Sequence, residues 1–269
     1  MRPSLSVVLL VLFLATSSST CAQEKAPPEQ TASQKNESGE TDMPADFSFR
    51  IVPVRPIDEV REEALKLSPP EEKGSFRDAD LVELIHVDST IVLNIRYATD
   101  QNFMGTVLYE EARAFMQRPA AEAVGRVQES LAKRGIGLVI YDAYRPWYVT
   151  KMFWEATPPS QREFVANPAK GSKHNRGCAV DLGLIDLSTG EILDMPSGYD
   201  EFSKRAYANY DGGTETETAN RELLRREMEA VGFRVNPGEW WHFDYQDWDQ
   251  YRIQNVRFAD IDSDGKSNG

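Results

Sequence analysis

The sequence predicts an α+β domain, a single unit in which a small antiparallel sheet carries the chemically active residues and helices flank it. Two observations point there. Three short apolar runs, Gly137 to Tyr141, Cys178 to Ile185 and Trp240 to Tyr245, read as strands. Three other segments space their apolar residues by three and four, as helices do, and the two kinds do not alternate regularly as in a doubly wound sheet.

The first helix begins near Pro119, sets Val124, Val127 and Leu131 on one face, and ends before Gly135. The strand at Gly137 to Tyr141 follows it. The second helix starts after Pro146, carries Met152, Phe153 and Ala156, and ends before Pro158. In the strand from Cys178 to Ile185, period-two alternation turns Val180, Leu182 and Leu184 to the core. The opposite face is Ala179, Asp181 and Gly183, where one carboxylate stands among small residues with room for a metal and a substrate. The third helix holds Leu224, Met228 and Val231 and is stopped by Gly232; the turn Pro237-Gly238 then leads into the last strand.

Charge and composition bound the function. With a net charge of −13 and 41% apolar residues, the 269-residue chain has the make-up of a globular protein whose partners are neither nucleic acid nor an anionic membrane surface. Residues 1–22 read as an export signal: Arg2, the apolar run Val7 to Ala15, then small residues from Ser17 to Ala22. That run is about half of the roughly 20 residues a spanning helix requires. Cys21 stands where a bacterial lipoprotein carries its lipidated cysteine, although Ser18-Ser19-Thr20 lacks the usual Leu. The chain is therefore expected in the periplasm or cell envelope of a bacterium, with a lipid on Cys21 as its one route to a membrane and no obligate protein partner. Residues 23–45 are polar and read as a disordered linker, 46–258 as the folded domain, and 259–269 as an acidic flexible tail. Within that tail, Asp260 to Gly265 imitates the start of a calcium loop but supplies no Glu at the twelfth position.

The chemistry concentrates in two segments. Ser172 to Asp181 contains His174 and Asp181; Glu239-Trp240-Trp241-His242 contains a second imidazole and a second carboxylate. Two imidazoles and one carboxylate make a three-ligand site with a fourth position open, which suits one catalytic Zn(2+) per chain. Glu239 is the candidate base for a water at that position. A Glu three residues before a His cannot share its face on a regular strand, so Glu239 has to sit in a turn or bulge that brings it round. Trp240 and Trp241 are open between walling the pocket and packing the core. Arg145, in Tyr141-Asp142-Ala143-Tyr144-Arg145-Pro146, faces either of two roles: an oxyanion stabiliser oriented by Asp142, or half of a structural salt bridge. Cys178, beside the site, fits a small buried residue better than a ligand. His86 alternates with apolar residues outside these segments and reads as an edge or satisfied histidine.

These residues resemble the VanX-type D-alanyl-D-alanine dipeptidases, within the D-Ala-D-Ala zinc metallopeptidases. The resemblance covers about residues 85–245 and rests on four motifs in order: Arg96-Tyr97-Ala98-Thr99-x-x-Asn102-Phe103-x-Gly105, Asp142-x-Tyr144-Arg145-Pro146, Ser172-x-His174-x-x-Gly177-x-Ala179-x-Asp181, and Glu239-Trp240-Trp241-His242. It implies zinc on His174, Asp181 and His242, Glu239 as base and Arg145 as transition-state stabiliser. It further implies a small closed pocket where Tyr97, Ser172 and Asp200 bind the dipeptide, Asp200 taking its free ammonium. The chain departs from the pattern in its export signal, whereas resistance-linked members act in the cytoplasm, and in Cys178, where a Ser is common. The expected function is thus an exported dipeptidase hydrolysing D-Ala-D-Ala or similar small D-dipeptides in cell-wall peptide turnover. The alternatives are a carboxypeptidase trimming D-Ala from peptidoglycan stem peptides and a non-catalytic zinc-binding domain. The latter needs neither Glu239 nor Arg145.

Overall fold

The computed structural model describes residues 49–261. The expected export signal, linker and most of the acidic tail lie outside the described residues. The chain runs α1 (Ile57–Ala64), β1 (Leu81–Glu83), α2 (Leu84–Val87), β2 (Val92–Leu93), β3 (Phe115–Gln117), α3 (Arg118–Ala132), β4 (Ile136–Asp142), α4 (Trp147–Ala156), β5 (Ala179–Asp186), α5 (Glu215–Glu229), β6 (Phe233–Asn236) and β7 (Glu239–Tyr245). Five strands form the main sheet in the order β2-β4-β5-β7-β6, and β1 with β3 makes a separate two-stranded ribbon. The α+β class holds, but the sheet is mixed. Its β4, β5, β7 and β6 pairings are antiparallel, and β2 lies parallel to β4 at one edge. A two-residue strand has no period of its own, which is why β2 escapes a reading of sequence pattern.

All three predicted helices and all three predicted strands are present. Helix α3 buries Val124, Val127 and Leu131 as expected, together with Gln128. The Gln128 amide is satisfied at both ends: its Oε1 accepts from the Leu138 N–H at 2.7 Å, and its Nε2 donates to Thr90 Oγ1 at 2.9 Å. A buried amide with both ends bonded locks α3 to the start of β4 at little desolvation cost. Helix α5 ends at Glu229, short of Val231, and Gly232 at φ +100° turns the chain into β6. At its other end Thr214 and Glu217 form a reciprocal capping box. Thr214→Ala should therefore cost about 1 kcal/mol by urea unfolding, the usual worth of such a cap.

The two faces of β5 explain the small residues there. Val180, Leu182 and Leu184 are fully buried on one side. On the other, a Cβ at Gly183 would come within 2.7 Å of the Tyr141 hydroxyl, so only glycine lets that phenol lie over the strand. Gly177 plays a comparable role just before β5. Its φ of +68° ends the single 3-10 turn His174–Arg176, and a Cβ there would meet Leu81 Cδ2 at 2.6 Å. At the far end of the domain Ile261 is buried, so ordered backbone extends beyond residue 258 into the segment expected to be tail. Among the described residues no helix is long and apolar enough to cross a membrane.

Candidate active site

Sheet register assembles the site. Asp181 of β5 lies opposite Asp142 of β4 on one side and opposite His242 of β7 on the other. Three adjacent strands thus set three polar residues in one row. His174 joins them from the 3-10 turn, whose backbone is tied to β4's exit: the Arg145 N–H donates to the His174 carbonyl at 3.1 Å, and Asn175 Nδ2 donates to the Arg145 carbonyl at 2.8 Å.

His174 Nε2, Asp181 Oδ1 and His242 Nδ1 form a tight triangle. The edges are 3.3 Å from His174 to Asp181, 3.0 Å from His242 to Asp181, and 3.1 Å between the two imidazoles. The other ring nitrogens set the tautomers. His174 Nδ1 lies 2.6 Å from the Ala143 carbonyl, which can only accept, so Nδ1 carries the proton. His242 Nε2 lies 2.9 Å from Asp244 Oδ1 and donates to it. When both imidazoles are neutral, three lone pairs therefore converge, and Asp181 Oδ1 is a buried oxygen without a hydrogen-bond partner among the described residues. Burial opposes charge on Asp181, yet His174 and His242 hold its carboxyl far below the usual range. Burial likewise disfavours a charged His242, but Asp181 and Asp244 raise its pKa well above the ordinary imidazole value. The cluster suits a cation, which would take the place of the proton that Asp181 and Asp244 otherwise draw to His242. Ligands at ~2.0–2.2 Å from one tetrahedral zinc lie about 3.3–3.6 Å apart, so these donors fit Zn(2+) by type, and edges of 3.0–3.3 Å need open only slightly to admit it.

Glu239 meets the geometric condition its sequence position imposed. Pairing between β6 and β7 runs regularly from Phe233↔Tyr245 to Val235↔Phe243, then jumps to Asn236↔Glu239. Trp240 to His242 bulge out between those pairs, and the Glu239 carboxylate swings to 3.7 Å from His242 Nδ1. Asn236 Nδ2 steadies it with a 2.9 Å hydrogen bond. Burial pushes the Glu239 carboxyl upward, His242 draws it down, and Asp181 pushes it up again; the net is a raised pKa.

Arg145 forms the salt bridge with Asp142 and still reaches the cleft. Its Nε and Nη2 donate to Asp142 Oδ2 at 2.9 and 2.7 Å, and its plane lies over Phe153 and Tyr97 at 4.7 and 5.3 Å. Nη1 makes no hydrogen bond to a described residue, and the side chain lines the cleft. Asp142 is itself fully buried and accepts from Tyr109 at 2.6 Å through its other oxygen. Tyr97 donates to Asp200 Oδ2 at 2.8 Å, and Ser172 Oγ accepts from the His174 N–H at 3.2 Å. Asp200 is buried at φ +57°, and burial together with Asp181 holds its carboxyl well above the usual range against the pull of Tyr97 and Arg145. A positive partner would be needed to keep this carboxyl ionised.

The structure brings Tyr97, Arg145, Ser172, His174, Asp181, Asp200, Glu239 and His242 onto one cleft of about 530 Å³, with Asp142 directly behind it. Trp241 walls this cleft; Trp240 packs away from it and donates to Ser197 Oγ at 2.8 Å. Cys178 is buried outside the ligand triangle, with burial pushing its thiol pKa up. His86 sits exposed on the one-turn α2. Sequence reading missed Asp244, which bonds both His242 and Lys173 (Nζ–Oδ2 2.5 Å), as well as Asn236 and Tyr199. For Asp244 a signal existed: it lies two residues beyond His242, hence on the same strand face.

A His-Asp-His triangle with a carboxylate beside it and a fixed guanidinium at the same cleft is the arrangement of a metallohydrolase. A peptidase M15 family model, described as D-Ala-D-Ala dipeptidase, matches residues 77–261, and the chain belongs to that family of metallopeptidases. A D-alanyl-D-alanine dipeptidase of Escherichia coli (strain K12) is 34% identical over 186 residues, covering 69% of this chain and 95% of that protein. One from Enterococcus faecium is 32% identical over 185 residues, covering 62% and 90%, and one from Streptomyces coelicolor is 32% identical over 188 residues, covering 63% and 91%. A solved LD-carboxypeptidase chain aligns over 64% of this chain and 71% of its own at 18% identity and TM-score 0.36, a likeness too slight to bear on function.

Proposed function

We propose that the protein hydrolyses D-alanyl-D-alanine, or a closely similar small D-dipeptide, at one zinc held by His174, Asp181 and His242. The observation that carries this reading is the convergence of two imidazole nitrogens and one carboxylate oxygen 3.0–3.3 Å apart, with the Glu239 carboxylate 3.7 Å from one of them. Zinc bound there supplies Lewis acidity, polarising a carbonyl and bringing the pKa of water toward ~7. Glu239 takes the proton of the attacking water and returns it to the leaving amine; its raised pKa suits a group that must both accept and release a proton near neutrality. Arg145, fixed by Asp142, turns Nη1 toward the oxygen on which negative charge develops. Asp200 accepts the dipeptide's ammonium, which is the positive partner this buried carboxylate lacks, and Tyr97 holds its orientation. Ser172 supplies a polar contact at the cleft wall.

The ammonium separates the dipeptidase from the carboxypeptidase reading. In a stem pentapeptide the terminal D-Ala-D-Ala carries an amide where the dipeptide carries a charged amine, so the pentapeptide leaves Asp200 unpaired. Asp200→Asn should raise KM for D-Ala-D-Ala by roughly 10–100-fold, the worth of one charge-assisted hydrogen bond of about 1.5–3 kcal/mol. Steady-state kinetics would show it, with kcat changed much less. The function is tested by D-alanine release from D-Ala-D-Ala and from a stem pentapeptide by the zinc-loaded protein. Release from the dipeptide alone is expected; release from the pentapeptide at comparable kcat/KM would make the protein a carboxypeptidase. From residues 1–22 we further propose that it acts outside the cytoplasm, on dipeptides of cell-wall turnover, with Cys21 as a candidate lipid-attachment site. Cell fractionation that left the protein in the cytoplasm would refute that part.

A further inference from the structure

One buried hydroxyl at the boundary between the metal triangle and the amine pocket has no role in the account so far. Tyr199 lies in the turn just before Asp200 and is 5% exposed. Its hydroxyl is 2.9 Å from Asp181 Oδ2 and 3.2 Å from the hydroxyl of Tyr97, which in turn meets Asp200 Oδ2 at 2.8 Å. Its ring is clamped by Tyr141 at 4.8 Å and by Trp241 at 5.5 Å. Asp181 thus has two distinct oxygens. Oδ1 belongs to the metal triangle; Oδ2 points away from it, and its other polar neighbour, Arg145 Nη2, stands off at 3.9 Å.

We infer that Tyr199 is a positioning residue that holds Asp181 with Oδ1 turned to the metal and ties that ligand, through Tyr97, to the carboxylate that takes the substrate's ammonium. The inference rests on the zinc dipeptidase reading above.

Counting protons supports it. With Asp200 ionised, as it is with an ammonium beside it, the Asp181–Tyr199–Tyr97–Asp200 chain has two hydroxyl protons and more acceptors than that. In one arrangement Tyr199 donates to Asp181 and Tyr97 donates to Asp200. In a second, Tyr97 donates to Tyr199, Tyr199 still donates to Asp181, and Asp200 is left open. A third, in which Tyr199 donates to Tyr97, strips a buried carboxylate oxygen of its 2.9 Å donor and is disfavoured for that reason. An ammonium arriving at Asp200 supplies the donor that Tyr97 had provided, and so favours the second arrangement. A phenol that accepts a hydrogen bond is a stronger donor in turn. Filling the amine pocket therefore tightens the hold on the metal ligand, and the effect is reciprocal.

Tyr199→Phe removes the hydroxyl and keeps the ring that Tyr141 and Trp241 clamp. The readout is zinc affinity of the full chain by competition with a chelator, with Tyr141→Phe as control, since the Tyr141 hydroxyl lies over Gly183 instead. Loss of an outer-shell hydrogen bond to a ligand is expected to weaken zinc binding by ~10–100-fold in Tyr199→Phe and to leave Tyr141→Phe within about twofold of wild type. A Tyr199→Phe protein that binds zinc as tightly as wild type would overturn the inference. Equal weakening in both variants would also overturn it, because the loss would then not be specific to the hydroxyl that meets Asp181. Wild-type protein that binds no zinc would bring down the zinc reading itself, a result distinct from a silent Tyr199→Phe.

Discussion

Replacing Glu239 by glutamine is expected to lower kcat on D-Ala-D-Ala by ~10²–10⁴-fold, the usual worth of a positioned general acid–base, while one zinc stays bound. Glutamine keeps the shape of the side chain and can still accept from Asn236 Nδ2, which now lies 2.9 Å from the carboxylate. It cannot take a proton. The neighbouring triangle of His174, Asp181 and His242 is untouched, because Glu239 approaches His242 only to 3.7 Å and is no member of that group. Steady-state kinetics with metal analysis of the same samples checks both halves. A loss below tenfold would remove Glu239 as the base; a loss of zinc together with activity would make it a ligand.

Arg145→Lys carries the second large effect, a fall of about 10²–10³ in kcat, as for the removal of one oxyanion donor. Lysine retains the positive charge, so the fully buried Asp142 keeps an ion partner and the fold is spared the cost of an orphaned carboxylate. What lysine cannot do is serve two acceptors in fixed directions. Arg145 spends Nε and Nη2 on Asp142 and keeps Nη1 for the cleft; a single ammonium reaches one or the other. The expected result is a loss in kcat larger than the change in KM, with a melting temperature close to wild type. Normal kcat with a lowered melting temperature would reduce Arg145 to a structural ion pair.

Much of this site can be read from the sequence because its residues lie on strands with a clear period. The alternation across Ala179 to Ile185 places Asp181 on the small face, and the spacing of Glu239 and His242 requires a turn or a bulge. The structure answers with a bulge, in which Trp240 to His242 lie unpaired with β6 opposite the step from Val235 to Asn236. The two-residue β2, the three-residue β1 and β3, and the four-residue β6 are too short to show a period, so the edges of the sheet and its parallel pair depend on tertiary contacts alone. Helix α1 carries only Val60 and Ala64 to the core, a pattern too sparse to separate from a polar loop. Tyr199 and Asp200 illustrate a different limit. They lie in a turn without periodicity, and what gives them meaning is proximity to Asp181 and Tyr97, which are 18 and 102 residues from Tyr199 along the chain. Long-range placement of that kind follows from packing of the whole domain and leaves no local mark.

In the function proposed above, His174, Asp181 and His242 hold the catalytic metal. Anomalous diffraction at the zinc absorption edge, from crystals of the full chain grown with zinc, tests it most directly. The account predicts one peak per chain, ~2.0–2.2 Å from His174 Nε2, Asp181 Oδ1 and His242 Nδ1. No peak among those three atoms, or a peak held by other residues, would contradict it.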